Sequence, residues 1–161
     1  MGVGGMRTII CDTRQKPDKT NYITEQIESI GYRVVRSKLF VGDYQFADAG
    51  NIVVDTKQNM NEIENNLVGS HERFREECIR AKDAGIQLVI LIQDNWITKL
   101  SDVFAWTNPR MFYTRGKIKP VNGRTLGKIM MSMEQKYGVK FEFCTKNEVG
   151  QRIVHLLGGE I

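Results

Sequence analysis

Residues 41–57 read VGDYQFADAGNIVVDTK, and this stretch decides how the chain folds. Asp43–Phe46 and Ile52–Lys57 look like two strands, and residues 47–51 between them are the small and polar residues of a turn. The segment therefore predicts a β-hairpin, which places an antiparallel pair inside the sheet.

On either side of this hairpin, strands alternate with helices. We expect further strands over Arg7–Asp12, Tyr32–Lys38, Gln87–Gln93 and Val139–Cys144, and helices over Thr20–Ile30, Met60–Leu67, His71–Ala84, Arg124–Tyr137 and Glu148–Leu157. Gln87–Gln93 is apolar on both of its faces, which is typical of a central strand covered on both sides. This order favours an α/β protein, with helices on both faces of a mixed β-sheet, as a single domain over residues 1–161.

Composition excludes several classes of protein. No apolar run approaches the roughly 20 residues that cross a bilayer. The first six residues lack a charged region followed by an apolar one, so we expect no secretion signal and a cytoplasmic location. Three scattered cysteines and two histidines argue against a disulfide framework and against a zinc or His-rich metal site, and predict free thiols.

A basic and aromatic segment lies at about residues 95–124. The net charge of the chain is +4 with a pI of about 9.0, and the only acid in residues 95–128 is Asp102. The basic residues there are Lys99, Arg110, Arg115, Lys117, Lys119, Arg124 and Lys128, and the aromatic ones are Trp96, Phe104, Trp106, Phe112 and Tyr113. Cations neutralise phosphates and aromatic rings stack on bases, so the segment is either a nucleic-acid contact or a solvated insertion whose aromatics complete the core.

The hairpin also carries the residues with chemical potential. Asp55 and Lys57 lie two positions apart on one strand, so they share a face, with Cα atoms roughly 6.5 Å apart. Asp43 begins the partner strand, so the hairpin can bring two carboxylates beside one ammonium. A hard divalent cation such as Mg²⁺ holds two carboxylates, activates water and polarises a phosphate. By spacing alone, Asp55 and Lys57 could equally form a structural salt bridge.

Five motifs in this order resemble the nuclease domain of the XPF/Hef-type structure-specific DNA endonucleases, a branch of the PD-(D/E)XK superfamily. The chain reads Asp12-Thr13-Arg14-Gln15 for D-x-R-E, Gly42-Asp43-Tyr44 for G-D-Y, Asp55-Thr56-Lys57 for the E-R-K of E-R-K-x-x-x-D, Arg73-Phe74-Arg75-Glu76-Glu77 for R-[LF]-x-x-Q, and Leu88–Ile92 for the apolar strand that follows. The resemblance extends from Arg7 to about Asp94. It implies a restriction-endonuclease-like α/β/α sandwich of three layers.

The resemblance also implies a function and a site. Asp43 and Asp55 would be metal ligands for Mg²⁺ or Mn²⁺, with the Thr56 carbonyl as a third, and Lys57 would be the catalytic lysine. Asp12 and Arg14 would line the site. The resemblance places Arg14 and Arg73 at the DNA, and the basic segment, which has no counterpart in the family, adds Arg115, Lys117 and Lys119 as expected DNA contacts. The activity would be hydrolysis of phosphodiester bonds in branched DNA during recombination or repair, by a homodimer in the bacterial nucleoid or of phage origin.

Five positions depart from the family pattern. Asp55 replaces the motif glutamate and keeps a carboxylate, Thr56 replaces the motif arginine, Asn61 the later acid, Gln15 a glutamate and Glu77 a glutamine. Glu77 could pair with Arg73 one helical turn away, or it could belong to the site. These departures leave two alternative functions open: a catalytically inactive DNA-binding module of the same fold, and a sequence-specific nuclease of the restriction type.

Overall fold

The computed structural model describes residues 6–69, 71–112 and 119–161. Over this part of the chain, one sheet has the strand order β2-β1-β3-β4-β5-β6. The strands are β1 (Thr8–Cys11), β2 (Arg33–Arg36), β3 (Tyr44–Phe46), β4 (Ala49–Lys57), β5 (Gln87–Gln93) and β6 (Lys140–Cys144). Only β3 runs antiparallel to its neighbours among these strands, so the sheet is mixed as predicted.

Helices cover both faces of the sheet. The helices are α1 (Pro17–Ser29), α2 (Met60–Glu64), α3 (His71–Asp83), α4 (Gly123–Tyr137) and α5 (Val149–Leu156). Helices α1 and α5 pack on one face, and α2, α3 and α4 pack on the other. The predicted three-layer α/β/α sandwich is confirmed.

Strand β5 shows why the layers form. Its alternate side chains enter two separate cores: Leu88, Ile90 and Ile92 face α3, while Val89 and Leu91 face α1 and α5. All five are buried. Two apolar faces require two covering layers, because each face must be removed from water.

Most predicted boundaries agree with the structure within one to three residues, as helix and strand ends usually do. Two differ for local reasons. The hairpin turn is shorter than predicted, because β4 begins at Ala49, which pairs with Phe46. The helix predicted over Met60–Leu67 ends as an α-helix at Glu64 and continues as one π-helical turn, Asn65–Gly69.

The polar residues of the motifs collect at one edge of the sheet. Strands β1, β4, β5 and β6 are mutually parallel, and their carboxyl ends form what we call the carboxyl edge. Asp12 follows β1, Lys57 ends β4 and Gln93 ends β5. Asp43 precedes the antiparallel β3, so it lies at the same edge. Ligands of open α/β sheets bind outside this edge.

The described part of the 95–124 segment packs on α4. Gly123 and Gly127 of α4 allow residues 103 and 104 to lie close to the helix. A Cβ at Gly123 would lie 2.4 Å from the Val103 carbonyl oxygen, and a Cβ at Gly127 would lie 2.8 Å from the Phe104 ring. Phe104 and Trp106 thus complete the core, whereas Trp96 is 87% and Phe112 is 73% exposed. The core interpretation is therefore confirmed for Trp106, whereas the nucleic-acid interpretation of the exposed Trp96 and Phe112 stays a prediction.

Of the proposed phosphate contacts in this segment, Lys119 is exposed. Arg115 and Lys117, like Tyr113, lie outside the described residues. Cys11, Cys78 and Cys144 are buried free thiols, as predicted. Helices long and apolar enough to cross a membrane are absent from the residues that the structure describes.

Candidate active site

A polar cleft opens at the carboxyl edge, on the α3 side of the sheet. It is lined by Asp12, Arg14, Gly42, Asp43, Asp55, Arg73, Glu77 and Arg80. Five of these are residues that the sequence placed at the site: Asp12, Arg14, Asp43, Asp55 and Arg73. They lie in the loop after β1, in the β2–β3 loop, on β4 and on α3. Lys57 adjoins the cleft through its ion pair with Asp55.

Asp43 is held by a tight loop and by neighbours on β4 and in the loop between β1 and α1. Gly42 has φ +72°, and a Cβ there would lie 2.3 Å from Val53 Cγ1, so only glycine fits at this turn. The Asp43 carboxylate accepts hydrogen bonds from Thr56 N at 2.7 Å, Thr56 Oγ1 at 3.0 Å and Gln15 Nε2 at 2.5 Å. The side chain is buried, and its position is fixed before any ligand binds.

Asp55 and Lys57 form an ion pair on the neighbouring strand. Lys57 Nζ lies 3.0 Å from Asp55 Oδ2, and the two side chains are only 12% and 8% exposed. Phe74 of α3 supports the ammonium, which lies 5.9 Å from the ring centroid. Within the described residues, Asp55 Oδ2 has no hydrogen-bond partner of normal geometry, so the lysine contact is electrostatic. Among the described residues, Lys57 is the only group in polar contact with this buried oxygen.

Asp55 is close enough to perturb the ionisation of Asp43. Burial, and then the charge of Asp55, raises the pKa of Asp43 well above its usual value. Burial lowers the pKa of Lys57, but Asp55 and Asp43 raise it further, so the net shift is upward. Lys57 therefore remains an ammonium at neutral pH in the free protein. A site that disfavours its own anionic charge favours a cation.

Asp12 and Arg14 form a unit at the wall of the cleft. Arg14 Nε donates to Asp12 Oδ2 at 2.6 Å, and Leu39 N donates to Asp12 Oδ1 at 2.7 Å. Burial raises the pKa of Asp12, but these hydrogen bonds outweigh it and hold the pKa below its usual value. Both Asp12 oxygens thus accept hydrogen bonds from the protein itself. The Arg14 side chain is 59% exposed at the rim of the cleft.

Glu77 is a site residue that the sequence left undecided. Its Oε1 accepts a hydrogen bond from Gly42 N at 3.2 Å, and it lines the cleft beside Asp55. Burial and the Asp55 charge raise its pKa. It makes no ion pair with Arg73 in the described structure. Glu77 therefore supports the loop that carries Asp43, and the helical-pair interpretation is wrong.

Asn61, at the position of the later motif acid, belongs to a separate buried network. Its side-chain amide donates to Glu64 Oε1 at 3.2 Å and to Asn108 Oδ1 at 3.0 Å. Glu64 also accepts from Asn108 Nδ2 at 2.6 Å and from Val121 N at 2.9 Å. Glu64 was missed, because a glutamate in a short helix usually faces solvent and its partners lie 44 and 57 residues away.

The residues at the cleft fit a divalent cation with oxygen ligands. Asp43 and Asp55 would hold it, with the Thr56 carbonyl as a further candidate ligand, because both carboxylates line the cleft and each lowers the electrostatic cost of a nearby cation. Groups of three or more His, Cys, Asp and Glu arranged around a common point are absent from the described residues. A two-carboxylate site suits Mg²⁺, which keeps several waters and binds substrate phosphate.

Asp43→Asn is expected to stabilise the metal-free protein by about 0.5–2 kcal/mol while removing its function. Burial and Asp55 hold the folded-state pKa of Asp43 above its usual 3.8, so the folded protein binds more protons than the unfolded chain between these two values. Wild-type stability therefore falls as pH rises through that window, and asparagine removes this loss. Urea unfolding in EDTA at several pH values from 3.5 to 8 measures the difference.

The gain should be absent below pH 3.8 and should grow up to the raised pKa. Asp18→Asn, which changes an exposed carboxylate on α1, is the control and should leave stability within about 0.5 kcal/mol. If Asp43→Asn were equally destabilising at every pH, the hydrogen bonds from Thr56 and Gln15 would outweigh the buried charge.

Comparison with known proteins agrees with this geometry. The family model described as ERCC4 domain matches residues 11–156. XPF from Aeropyrum pernix has a similar fold, with a TM-score of 0.64 at 19% identity over 93% of this chain and 63% of that chain. The same protein in complex with DNA gives a TM-score of 0.65 at 18% identity, over 94% and 63%. The chain thus spans less than two thirds of the length of these solved chains.

No curated protein sequence matches the chain. The family model, however, covers every motif that forms the cleft, from the end of β1 to α5. Since that match extends over nearly the whole chain, the chain belongs to the ERCC4 domain family, and it has the fold of the XPF structures.

Proposed function

We propose that this chain is a divalent-metal-dependent endonuclease that hydrolyses phosphodiester bonds in branched or otherwise structured DNA, during recombination or repair. The observation that carries this proposal is the arrangement of Asp43, Asp55 and Lys57. Two buried carboxylates share one cleft, and an ammonium lies 3.0 Å from one of them. A buried salt bridge serving only stability would not need the second carboxylate, whose burial next to Asp55 is costly.

Bound Mg²⁺ or Mn²⁺ would supply Lewis-acid polarisation of the phosphate and a water of lowered pKa. The chain's own residues provide the rest. Asp43 is preorganised by Thr56 and Gln15, and its loop is supported by Glu77. The Lys57 ammonium can donate hydrogen bonds that orient the attacking water and offset the negative charge of the transition state. Its raised pKa favours this role over that of a general base.

The surroundings of the cleft suit a polyanion. Arg14, Arg73 and Arg80 line its walls, where they can neutralise the phosphates on either side of the scissile one. Exposed aromatic rings, Trp96 and Phe112, lie on the 95–124 segment and could stack on unpaired bases. Unpaired bases occur at forks, flaps and junctions, which supports a structured substrate. The relative from A. pernix was solved in complex with DNA.

The test is cleavage of labelled fork, flap, four-way-junction and plain duplex DNA by the protein with Mg²⁺, Mn²⁺ or EDTA. We expect metal-dependent cutting near the branch of at least one structured substrate, and little cutting of plain duplex. Binding of these DNAs without cutting in any metal would support the inactive module of the same fold. Cutting of linear duplex at fixed sequences would support the restriction-type nuclease.

The homodimer and the contacts from Arg115, Lys117 and Lys119 remain part of this proposal. Homodimers are implied by the family resemblance, and light scattering of the protein at micromolar concentration decides between one copy and two. A second copy would double the positive charge available to a branched substrate, since each copy has a net charge of +4.

A further inference from the structure

A second cavity adjoins the cleft on the opposite face of the sheet. It has a volume of about 270 Å³ and opens at the carboxyl edge between the start of α1 and the ends of β4 and β5. Thr56 lines it, and Thr56 points away from Asp55 because side chains alternate along a strand. The cavity is therefore distinct from the cleft that contains Asp55 and Lys57.

The wall between the two spaces consists of residues that bind Asp43. Gln15 and Thr56 line the cavity, and both donate hydrogen bonds to the Asp43 carboxylate. Arg14 lines both spaces. A group bound in the cavity would consequently lie one side chain away from a metal-binding carboxylate.

The cavity is cationic. Arg14, Lys16 and Lys19 line it, and Glu62 is the only acid among its described lining residues. Lys16 and Lys19 make no ion pair within the part of the chain that the structure describes. Glu62 is already engaged, because its carboxylate accepts a hydrogen bond from Gln58 N at 3.0 Å. Two unpaired ammonium groups beside a concave space favour an anionic ligand.

The remaining wall is rigid and polar. Gln93 Nε2 donates to the Tyr22 hydroxyl at 2.5 Å, and Lys146 Nζ lies 4.8 Å from the centroid of the Tyr22 ring. The cavity is smaller than most sites for drug-sized ligands, which hold roughly 300–1,000 Å³. A phosphate group fits this space, and the cationic lining favours it over an uncharged base.

We propose that this cavity, which we call the phosphate cavity, binds an internal phosphodiester of the cleaved strand adjacent to the scissile one. The bound phosphate fixes the register of the strand, so that the next phosphate lies over Asp43 and Asp55. Lys16 and Lys19 are positioning residues in this scheme, because they act on the strand and not on the reacting atoms. The inference deepens the proposed nuclease function and rests on it.

The experiment compares the Lys16→Gln/Lys19→Gln double variant with wild type and with Lys140→Gln. Lys140 is an exposed lysine that begins β6, at the edge of the sheet opposite to the cavity, which makes it a matched control. The substrate is the DNA that wild type cuts, with single uncharged methylphosphonates placed in turn on each side of the mapped cut. Thermal melting of each variant checks that the exposed substitutions leave the fold intact.

With wild type, a methylphosphonate at one position adjacent to the cut should lower kcat/KM about tenfold, since charge-assisted hydrogen bonds are lost. On unmodified DNA, the kcat/KM of the double variant should be about tenfold lower than that of wild type. A methylphosphonate at that same position should not lower the kcat/KM of the double variant any further, whereas Lys140→Gln should behave as wild type. Equal sensitivity of wild type and the double variant at every position would overturn the proposal. The proposal would also be overturned if the double variant lost activity only on DNA with a 5′-phosphate and not on DNA with a 5′-hydroxyl. That result would assign the cavity to terminal phosphates.

These outcomes are separable from failure of the proposed function. If wild type cuts no DNA with any metal, the nuclease proposal fails, and fluorescence anisotropy in EDTA still tests the cavity on the same DNAs. Weaker binding and a shallower salt dependence for the double variant, relative to Lys140→Gln, would then retain a phosphate site. Identical binding by all three proteins would remove it.

Discussion

Asp55→Asn should reduce metal-dependent DNA cleavage by at least about a thousandfold, while DNA binding in EDTA changes by less than about threefold. The substitution removes one of the two carboxylates that would hold the cation, and neutral amides are poor ligands for Mg²⁺. The affected side chain lies in the cleft beside Lys57, and the substitution leaves the arginines that line the cleft, Arg14, Arg73 and Arg80, unchanged. Single-turnover cleavage of the preferred substrate with excess protein measures the effect.

Lys57→Ala belongs to the same test and should lower the rate by about 10²–10³-fold, since it removes a donor aimed at developing charge. Asp48→Asn is the matched control, because Asp48 is an exposed aspartate in the hairpin turn at the opposite edge of the sheet, paired only with Arg7 within the described structure. It should cut as wild type does. Retention of more than about a tenth of the wild-type rate by Asp55→Asn would remove that residue from the active centre.

Glu64→Ala should lower the free energy of unfolding by about 3–5 kcal/mol, as loss of one member of a buried charged network does. Glu64 is 1% exposed and accepts hydrogen bonds from Asn61, Asn108 and Val121 N. Alanine would leave Val121 N without its acceptor and would remove one acceptor each from the Asn61 and Asn108 amides, and it would also remove the ion pair with Arg110 at 3.5 Å. Urea unfolding followed by circular dichroism measures the change.

Because Asn108 and Val121 lie on the 95–124 segment, Glu64→Ala should also expose that segment to proteases before the rest of the chain unfolds. Glu25→Ala, which removes an exposed carboxylate on α1, should change stability by less than about 0.5 kcal/mol. Glu64→Gln keeps one acceptor oxygen, so its loss of unfolding free energy should lie between those of Glu64→Ala and Glu25→Ala. A Glu64→Ala protein as stable as Glu25→Ala would mean that the network contributes no net stability.

Agreement between sequence and structure is strongest where the information is local. The order of strands and helices, the double burial of β5 and the shared face of Asp55 and Lys57 all follow from short periodicities. Side chains two positions apart on a strand must point the same way, whatever else the chain does. The convergence of Asp43 on Asp55 followed from the hairpin, because its turn brings the two strands into register.

Agreement is weaker where a residue's role depends on partners far away in sequence. Asp12 was expected to line the site and does line the cleft, but its hydrogen bond from Leu39 N, 27 residues away, could not be read from the sequence. Glu77 had two interpretations, and only the loop around Gly42 decided between them. Hydrogen-bond partners 25 to 60 residues apart leave no spacing signal, because nothing local requires them to meet.

The sequence by itself determined the α/β order, the hairpin and the pair of carboxylates beside one ammonium, since strand geometry depends on neighbouring residues alone. Tertiary structure decided that Glu64 is a buried anchor, that Phe104 and Trp106 pack while Trp96 and Phe112 stay exposed, and that Lys16 and Lys19 face a cavity behind Asp43. Burial and cavities arise only when separate elements pack together, so the charge that each group feels is set by the complete fold.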